Sequence, residues 1–176
     1  MSPLAQHYLR WAVLCGSLTT FMSCRHSPAP IRINSGGPAY LDTRQQKWNE
    51  DGYYTGGVQF VTKHPVENTN ASELYQSARY GNSFRYSIPV PNGRTTVRLM
   101  FAEIYFNAPG ARVFNVTIND VPVLTKFDPY AKAAGANRAI DREFTVDVKD
   151  GRVKIQFTPI AQDPLVNAIE LSPGRG

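Results

Sequence analysis

The residues best suited to chemistry in this sequence are aromatic side chains at the ends of predicted strands, next to turn residues. They are, in chain order, Tyr53-Tyr54 beside Gly56-Gly57, Tyr80 before Gly81-Asn82, and Tyr105-Phe106 before Pro109-Gly110. A sugar has apolar C–H faces and a polar hydroxyl rim, so a site for it needs aromatic rings together with amide or carboxylate groups. The pattern is compatible with a carbohydrate-binding site, and the alternative is that these tyrosines cap the core.

Histidine and cysteine are too scarce for the common kinds of catalytic or metal site. The chain has three His and two Cys, and both cysteines, Cys15 and Cys24, lie in the N-terminal leader. Only His64, in a polar loop, falls inside the predicted domain, which leaves no Ser-His-Asp arrangement and no set of zinc ligands. No glycine-rich phosphate loop is present. We therefore predict a protein that is not an enzyme and that uses no cofactor.

Carboxylates are the remaining candidates for catalysis, since a glycosidase needs two of them across a cleft. The chain has fourteen acidic residues, so pairs are always available and their presence is weak evidence. Glu103 lies within an otherwise apolar strand, where a carboxylate more often pairs with an arginine or a backbone amide than acts as an acid catalyst. No spacing of acidic residues indicates a calcium site.

Alternation of apolar and polar residues with a period of two predicts the strands that must position these side chains. The predicted strands cover residues 31–34, 58–62, 83–90, 94–106, 112–119, 121–124, 142–149, 152–158 and 165–171. Apolar residues on both faces of 94–106 indicate a central strand, and residues 129–141 read as a loop or one short helical turn. The sequence predicts an all-β, jelly-roll-like β-sandwich of the galactose-binding type, as a single domain.

The N-terminal residues have a different character from the rest of the chain. Residues 1–24 have the layout of a signal peptide, and Ser23-Cys24 resembles a lipoprotein cleavage site with Cys24 as the lipidated residue. Simple cleavage, retention as an anchor, and a disordered or partly helical tail of a cytosolic protein are the alternatives. A short tether (25–30) and one domain (31–172) follow.

The charge pattern indicates which partners to expect. The formal net charge is +5, but the basic residues are spread along the strands instead of being clustered. Scattered charges are typical of a solvated surface, so we expect no nucleic-acid partner. We expect membrane association only through a lipid anchor.

Several ordered motifs together carry a family resemblance. They are residues 31–37 (IRINSGG), Trp48 and Asp51 before 54–57 (YTGG), 74–80 (LYQSARY) before Phe84-Arg85-Tyr86, 101–106 (FAEIYF), 112–116 (RVFNV) and 167–170 (NAIE). Together they resemble malectin and the malectin-like domains, over residues 31–171. The segment 101–106 is the most specific of them.

The resemblance implies a jelly-roll-like β-sandwich that binds glucose-containing oligosaccharides, such as α-linked diglucosides, at one loop end. It places the stacking aromatics on Tyr54, Tyr80, Tyr105 and Phe106, and the hydroxyl-binding carboxylate on Asp163. Because Tyr53 and Tyr54 are adjacent, either of them can be the residue that faces the ligand. Asp163 directly precedes Pro164, whereas the family often has one residue between them.

The leading hypothesis is therefore non-catalytic carbohydrate binding by an exported protein, periplasmic, extracellular or held on the cell envelope as a lipoprotein. The partner is a glycan of glucan type. The alternative function, from a different class, is a peptide- or protein-binding interaction module of the cell envelope, since some malectin-like domains act as receptors.

Overall fold

A computed structural model describes residues 28–174 of the chain, and the leader with Cys24 lies outside the described residues. The described residues form fourteen strands, one short α-helix and one 3₁₀ helix. The strands are β1 (Ile31–Asn34), β2 (Tyr40–Leu41), β3 (Lys47–Trp48), β4 (Tyr54–Thr55), β5 (Val58–Val61), β6 (Ser77–Tyr80), β7 (Phe84–Pro89), β8 (Gly93–Phe101), β9 (Val113–Ile118), β10 (Val121–Phe127), β11 (Ile140–Val148), β12 (Arg152–Ala161), β13 (Leu165–Val166) and β14 (Ala168–Pro173). The helices are α1 (Pro129–Ala133) and the 3₁₀ helix (Ser72–Tyr75). None of the described helices is long and apolar enough to cross a bilayer.

Two antiparallel sheets form the sandwich. One has the strand order β1-β14-β8-β11 and the other β10-β9-β12-β7-β4. Phe101 of β8 and Phe114 of β9 have ring centroids 5.9 Å apart, so the sheets meet through aromatic contacts across the core. The predicted all-β sandwich is confirmed.

Strand alternation explains how each sheet buries one face. In β7, Phe84, Tyr86 and Ile88 are buried while the residues between them face outward. Phe84 lies opposite Phe157 of β12, and the two rings stack with centroids 4.5 Å apart. A shift of one residue in this register would move every one of these side chains to the solvent face, so burial fixes the pairing.

Strand β8 lies between β14 and β11, as a central strand should. It ends at Phe101, five residues before the predicted end at Phe106. The reason is a change of hydrogen-bond partner, because the backbone N–H of Ala102 donates to the side-chain oxygen of Asn167, at 2.8 Å, instead of to a neighbouring strand. The chain therefore turns away at this point and carries Tyr105 and Phe106 into a loop.

A small third sheet, β13-β6-β5, brings Tyr80 towards that loop. Tyr80 ends β6 and lies opposite both Val58 of β5 and Leu165 of β13. The segment containing Asp163 leads directly into β13. Three separate parts of the chain thus meet at one end of the sandwich.

Candidate functional site

A pocket of about 260 Å³ lies where these three segments meet. Its lining is aromatic and aliphatic with a few polar groups: Phe60, Ala78, Tyr80, Ile104, Tyr105, Phe106, Arg112, Gln162, Asp163 and Leu165. Four of the five residues predicted to bind sugar are in this set. The structure therefore brings together Tyr80, Tyr105, Phe106 and Asp163 from distant parts of the sequence.

The aromatic side of the pocket is a connected group of four rings. Phe60 contacts Tyr80 and Tyr105 edge to face, with centroid distances of 6.2 and 5.6 Å. Tyr105 contacts Phe106 in the same manner at 4.9 Å. Edge-to-face contacts are favourable for aromatic pairs and hold the rings in fixed relative orientations. Tyr105 nevertheless remains 64% exposed, so most of its surface is available to a ligand.

Glu103 holds the loop that carries two of these rings. Its side chain is completely buried, and its Oε1 accepts hydrogen bonds from the backbone N–H groups of Tyr105 and Phe106, both at 3.0 Å. These N–H groups have left the strand ladder and need another acceptor. A buried carboxylate supplies it, which fixes the backbone of the loop.

Arg112 connects this loop to the opposite wall. Its Nε donates to Glu103 Oε2 at 2.7 Å, and its Nη1 donates to the backbone carbonyl of Asp163. The guanidinium carbon also lies 4.9 Å from the centre of the Phe106 ring. Arg112 is only 5% exposed, so charge pairing with Glu103 is what makes its burial tolerable.

The segment around Asp163 is held by one further hydrogen bond. The N–H of Gly81 donates to the carbonyl of Pro164 at 3.3 Å, which joins this segment to the end of β6. Gln162 has a positive φ of 53°, an uncommon conformation for a residue other than glycine that recurs at functional sites. Asp163 itself is half-buried, and within residues 28–174 it forms no salt bridge.

Tyr54 lies apart from the other predicted residues. It is on β4, 43% exposed, and the guanidinium carbon of Arg79 lies 3.2 Å from the centre of its ring. Arg79 in turn pairs with Asp51 at 2.7 Å. Neither Tyr54 nor the adjacent Tyr53, which is 55% exposed, lines the pocket. A ligand contact by either of them stays a prediction.

Six of the ten lining residues were not among the predicted ligand-binding residues, and three of these six, Phe60, Arg112 and Gln162, contribute a ring or a polar group. Phe60 lies in a strand that the sequence predicts, but nothing local distinguishes it from the neighbouring valines. The expectation that Glu103 pairs with an arginine or a backbone amide was correct, since it does both, and Arg112 is the arginine. No motif or spacing in the sequence marks Gln162, because its place in the pocket lining depends on the conformation of the backbone.

Metal coordination finds no support in the described part of the chain. Within residues 28–174, no group of three or more His, Cys, Asp or Glu side chains converges in a way that could hold an ion. His64 is exposed in a loop between β5 and the 3₁₀ helix.

The fold and this pocket define a class of protein: a β-sandwich whose loop end presents aromatic rings and a carboxylate, as carbohydrate-binding domains do. A family model described as the Malectin domain matches residues 30–170, and the chain belongs to this family. Membership supports carbohydrate binding as the general function.

Similar proteins agree with this assignment. Malectin-B of Xenopus laevis is 28% identical over 131 residues, covering 70% of this chain and 47% of the relative. The chain thus spans about half the length of that curated relative. The extracellular domain of ANXUR1 from Arabidopsis thaliana has a TM-score of 0.73 at 19% identity, covering 80% of this chain and 47% of that one.

A beta-glucuronidase from Bacteroides uniformis is also similar in structure, with a TM-score of 0.74 and 20% identity. The match covers 84% of this chain but only 18% of the glucuronidase chain. At this level of identity the likeness concerns the fold alone.

Proposed function

We propose that the protein binds glucose-containing oligosaccharides without changing them chemically. The rings of Tyr80, Tyr105 and Phe106 stack on the sugar faces, and Asp163 accepts hydrogen bonds from hydroxyl groups. The observation that carries the proposal is the convergence of these four side chains on one pocket. Tyr54 lies outside that pocket, and its contribution is a separate question for mutagenesis.

The chemistry of the pocket matches a small polar ligand with apolar faces. Stacking removes sugar C–H surface and ring surface from water, while the carboxylate keeps the hydroxyls hydrogen-bonded. The volume of about 260 Å³ lies below the roughly 300 to 1,000 Å³ of pockets that enclose drug-sized ligands. One or two sugar rings at the end of a glycan are an appropriate size.

The arrangement of carboxylates favours binding over hydrolysis. A glycosidase needs two carboxyl groups that face the substrate, one to donate a proton and one to act as base or nucleophile. Glu103 is the second carboxylate close to this site, and it is fully buried with both oxygens engaged by Arg112 and by backbone N–H groups. Release of sugar from glucans by the purified protein would contradict the non-catalytic proposal.

Calorimetric titration with glucose disaccharides of different linkage tests the proposal. We expect saturable binding to at least one of them, and loss of that binding in the Tyr105→Ala variant. No binding to any glycan by protein shown to be folded would contradict it.

A second candidate function rests on the edge of the three-stranded sheet. β5 pairs with β6 on one side, and Val58 and Val61 on it are 56% and 59% exposed. An exposed apolar edge strand can accept an extended peptide by strand addition. The protein would then be an interaction module, and a partner pull-down that is lost in a Val58→Lys variant would favour this function.

We also propose that the protein is exported, with lipidation at Cys24 or simple cleavage as the two routes. The proposal rests on the composition of residues 1–24. The intact mass of the mature protein distinguishes the routes, because lipidation adds acyl chains to an N-terminal cysteine. A mature protein that retains Met1 would contradict both.

A further inference from the structure

The charges around the pocket do not cancel. The charged residues in its lining are the base Arg112 and the acid Asp163, and Glu103 lies directly behind Arg112. Glu103 is completely buried and Arg112 is 5% exposed, so these two opposite charges neutralise each other inside the protein. Asp163 is left as the unbalanced charge of the pocket.

Arg112 is poorly placed to bind an acidic ligand. Its Nε and Nη1 already donate to Glu103 and to the carbonyl of Asp163, and its Nη2 lies 3.5 Å from Glu103 Oε1. Glu103 already accepts from the parallel Nε–H and Nη2–H groups that an arginine offers to a carboxylate, so these two charges are paired with each other. The positive charge therefore does not offset the field that Asp163 exerts on a ligand.

The walls around Asp163 strengthen that field. Phe60, Tyr105, Phe106 and Leu165 surround the pocket with low-dielectric material. Coulomb interactions are stronger in such surroundings than in water, and a cleft lined by one sign of charge focuses its field. A carboxylate on a sugar bound here would meet Asp163, and Arg112, the cation of the described lining, is already paired with Glu103.

We propose that this pocket selects uncharged or amine-bearing sugars and rejects sugars that carry a carboxylate, and that Asp163 sets this selectivity. The inference rests on the proposed function, because it concerns the ligand of the same site. It runs against the expectation from the net charge of +5, which would favour acidic glycans. The basic residues of the surface act at long range and are screened by salt, whereas Asp163 acts at contact.

The test compares three sugars on three proteins by calorimetry. The sugars are a neutral glucose disaccharide that binds, the same disaccharide with its terminal C6 oxidised to a carboxylate, and its 2-amino derivative. The proteins are the wild type, Asp163→Asn, and the control Asp120→Asn in the β9–β10 turn. Asp120 is exposed with a positive φ of 64°, which asparagine tolerates well.

For the wild type we expect the acidic sugar to bind at least about tenfold more weakly than the neutral one, as like charges in contact require. In Asp163→Asn the ratio of the affinities for the neutral and the acidic sugar should fall to about threefold or less. Asp120→Asn should behave as the wild type. Working at about 0.15 M salt or above limits attraction of the acidic sugar to the basic surface.

Two outcomes would overturn the inference, and they differ in what else they affect. The selectivity would be overturned if the wild type binds the acidic and neutral sugars equally, or if the ratio of the two affinities is unchanged in Asp163→Asn. Either result would leave sugar binding established. Failure of all three sugars to bind the folded wild type would overturn the proposed function and the selectivity together.

Discussion

Two buried arginine–carboxylate pairs of the same construction do different things in this molecule. In Arg112–Glu103 and in Arg79–Asp51, an Nε donates to a carboxylate oxygen at 2.7 Å. In both pairs the guanidinium also lies against an aromatic ring, at 4.9 Å from its centre in the first and 3.2 Å in the second. In both, the carboxylate accepts hydrogen bonds from backbone N–H groups. Chemically, the two pairs are close equivalents.

The Arg112–Glu103 pair lies beneath a loop that opens to solvent. Its partners are the backbone of Tyr105, Phe106 and Asp163, whose side chains remain free to face the pocket. The hydrogen bonds of the pair go to main chain, and among these three side chains the Phe106 ring also contacts Arg112. The result is a set of rings and a carboxylate that are held in position before a ligand arrives, which lowers the cost of binding.

The Arg79–Asp51 pair instead stabilises one edge of the core through hydrogen bonds. Asp51 accepts from the N–H of Gly36 at 2.6 Å and from the hydroxyl of Tyr86 at 2.8 Å, while Arg79 donates to both carbonyls of residues 56–57. Burial raises the pKa of Tyr86 well above its ordinary value, so its hydroxyl stays protonated and keeps donating. Here the side chain that hydrogen-bonds to the pair, Tyr86, is itself packed in the interior.

A buried ion pair therefore does not by itself mark a functional site. The two pairs resemble each other in distance, burial and ring contact, and only the first leaves polar and aromatic groups facing a pocket. Mutations in the two regions should therefore separate stability from ligand binding.

The largest expected effect is that of Asp51→Ala. It leaves Arg79 buried without its partner, which typically costs about 3 to 5 kcal/mol. We expect the free energy of unfolding in denaturant to fall by that amount, and sugar affinity per folded molecule to stay unchanged. If this variant does not fold, Asp51→Asn gives a milder version of the same test. A stable variant that has lost sugar binding would contradict the comparison.

Glu103→Gln should change both properties. The amide oxygen can still accept from the N–H groups of Tyr105 and Phe106, but the charge-assisted bond to Arg112 is lost, a change of about 2 kcal/mol. We expect sugar affinity to fall at least about tenfold as well, since aromatic contacts and Asp163 are then less well fixed. Denaturant unfolding and calorimetry measure the two effects, and unchanged affinity would show that Glu103 has a structural role only.

Tyr105→Ala should reduce binding more than stability. The side chain is 64% exposed, so loss of its edge-to-face contacts with Phe60 and Phe106 should lower the free energy of unfolding by only about 1 kcal/mol. Sugar affinity should fall at least about tenfold if the ring stacks on the ligand. Tyr53→Ala is the matched control, because Tyr53 is 55% exposed and lies outside the pocket. Equal loss of affinity in both variants would contradict the assignment of the pocket.

The smallest effect is expected for Tyr54→Ala. Loss of the ring contact with Arg79 should lower the free energy of unfolding by about 1 kcal/mol or less. The pocket geometry predicts unchanged sugar affinity, whereas the family resemblance predicts a loss. Calorimetry on this variant decides between the two.

The strands were predictable where alternation is long enough to read. Phe84, Tyr86 and Ile88 could be assigned to the core from their spacing alone, and all three are buried. The end of β8 was predicted wrongly at Phe106, because alternation continues past Phe101 while the hydrogen bonds do not. The periodicity of the sequence does not show that the N–H of Ala102 donates to the Asn167 side chain instead of to a neighbouring strand. The shortest strands, such as Lys47–Trp48, contain too few residues to show a period.

The aromatic part of the candidate site was indicated by tyrosines at strand ends, whereas Asp163 was predictable only through motifs with a family resemblance. Asp163 lies more than fifty residues from Tyr105 in sequence, and no local pattern brings them together. The direction taken by Tyr54 depends on Gly56 and Gly57, whose positive φ angles of 79° and 67° turn the chain between β4 and β5. Such turns determine where Tyr53 and Tyr54 lie relative to the pocket, and the sequence does not specify the outcome.

The location of the bound ligand can be determined from a crystal structure of the protein with a neutral glucose disaccharide. We expect a sugar ring stacked on Tyr105 or Tyr80, with a hydroxyl within hydrogen-bond distance of the Asp163 carboxylate. A disaccharide bound instead beside Tyr54 and Arg79, with the pocket free of sugar, would contradict this expectation.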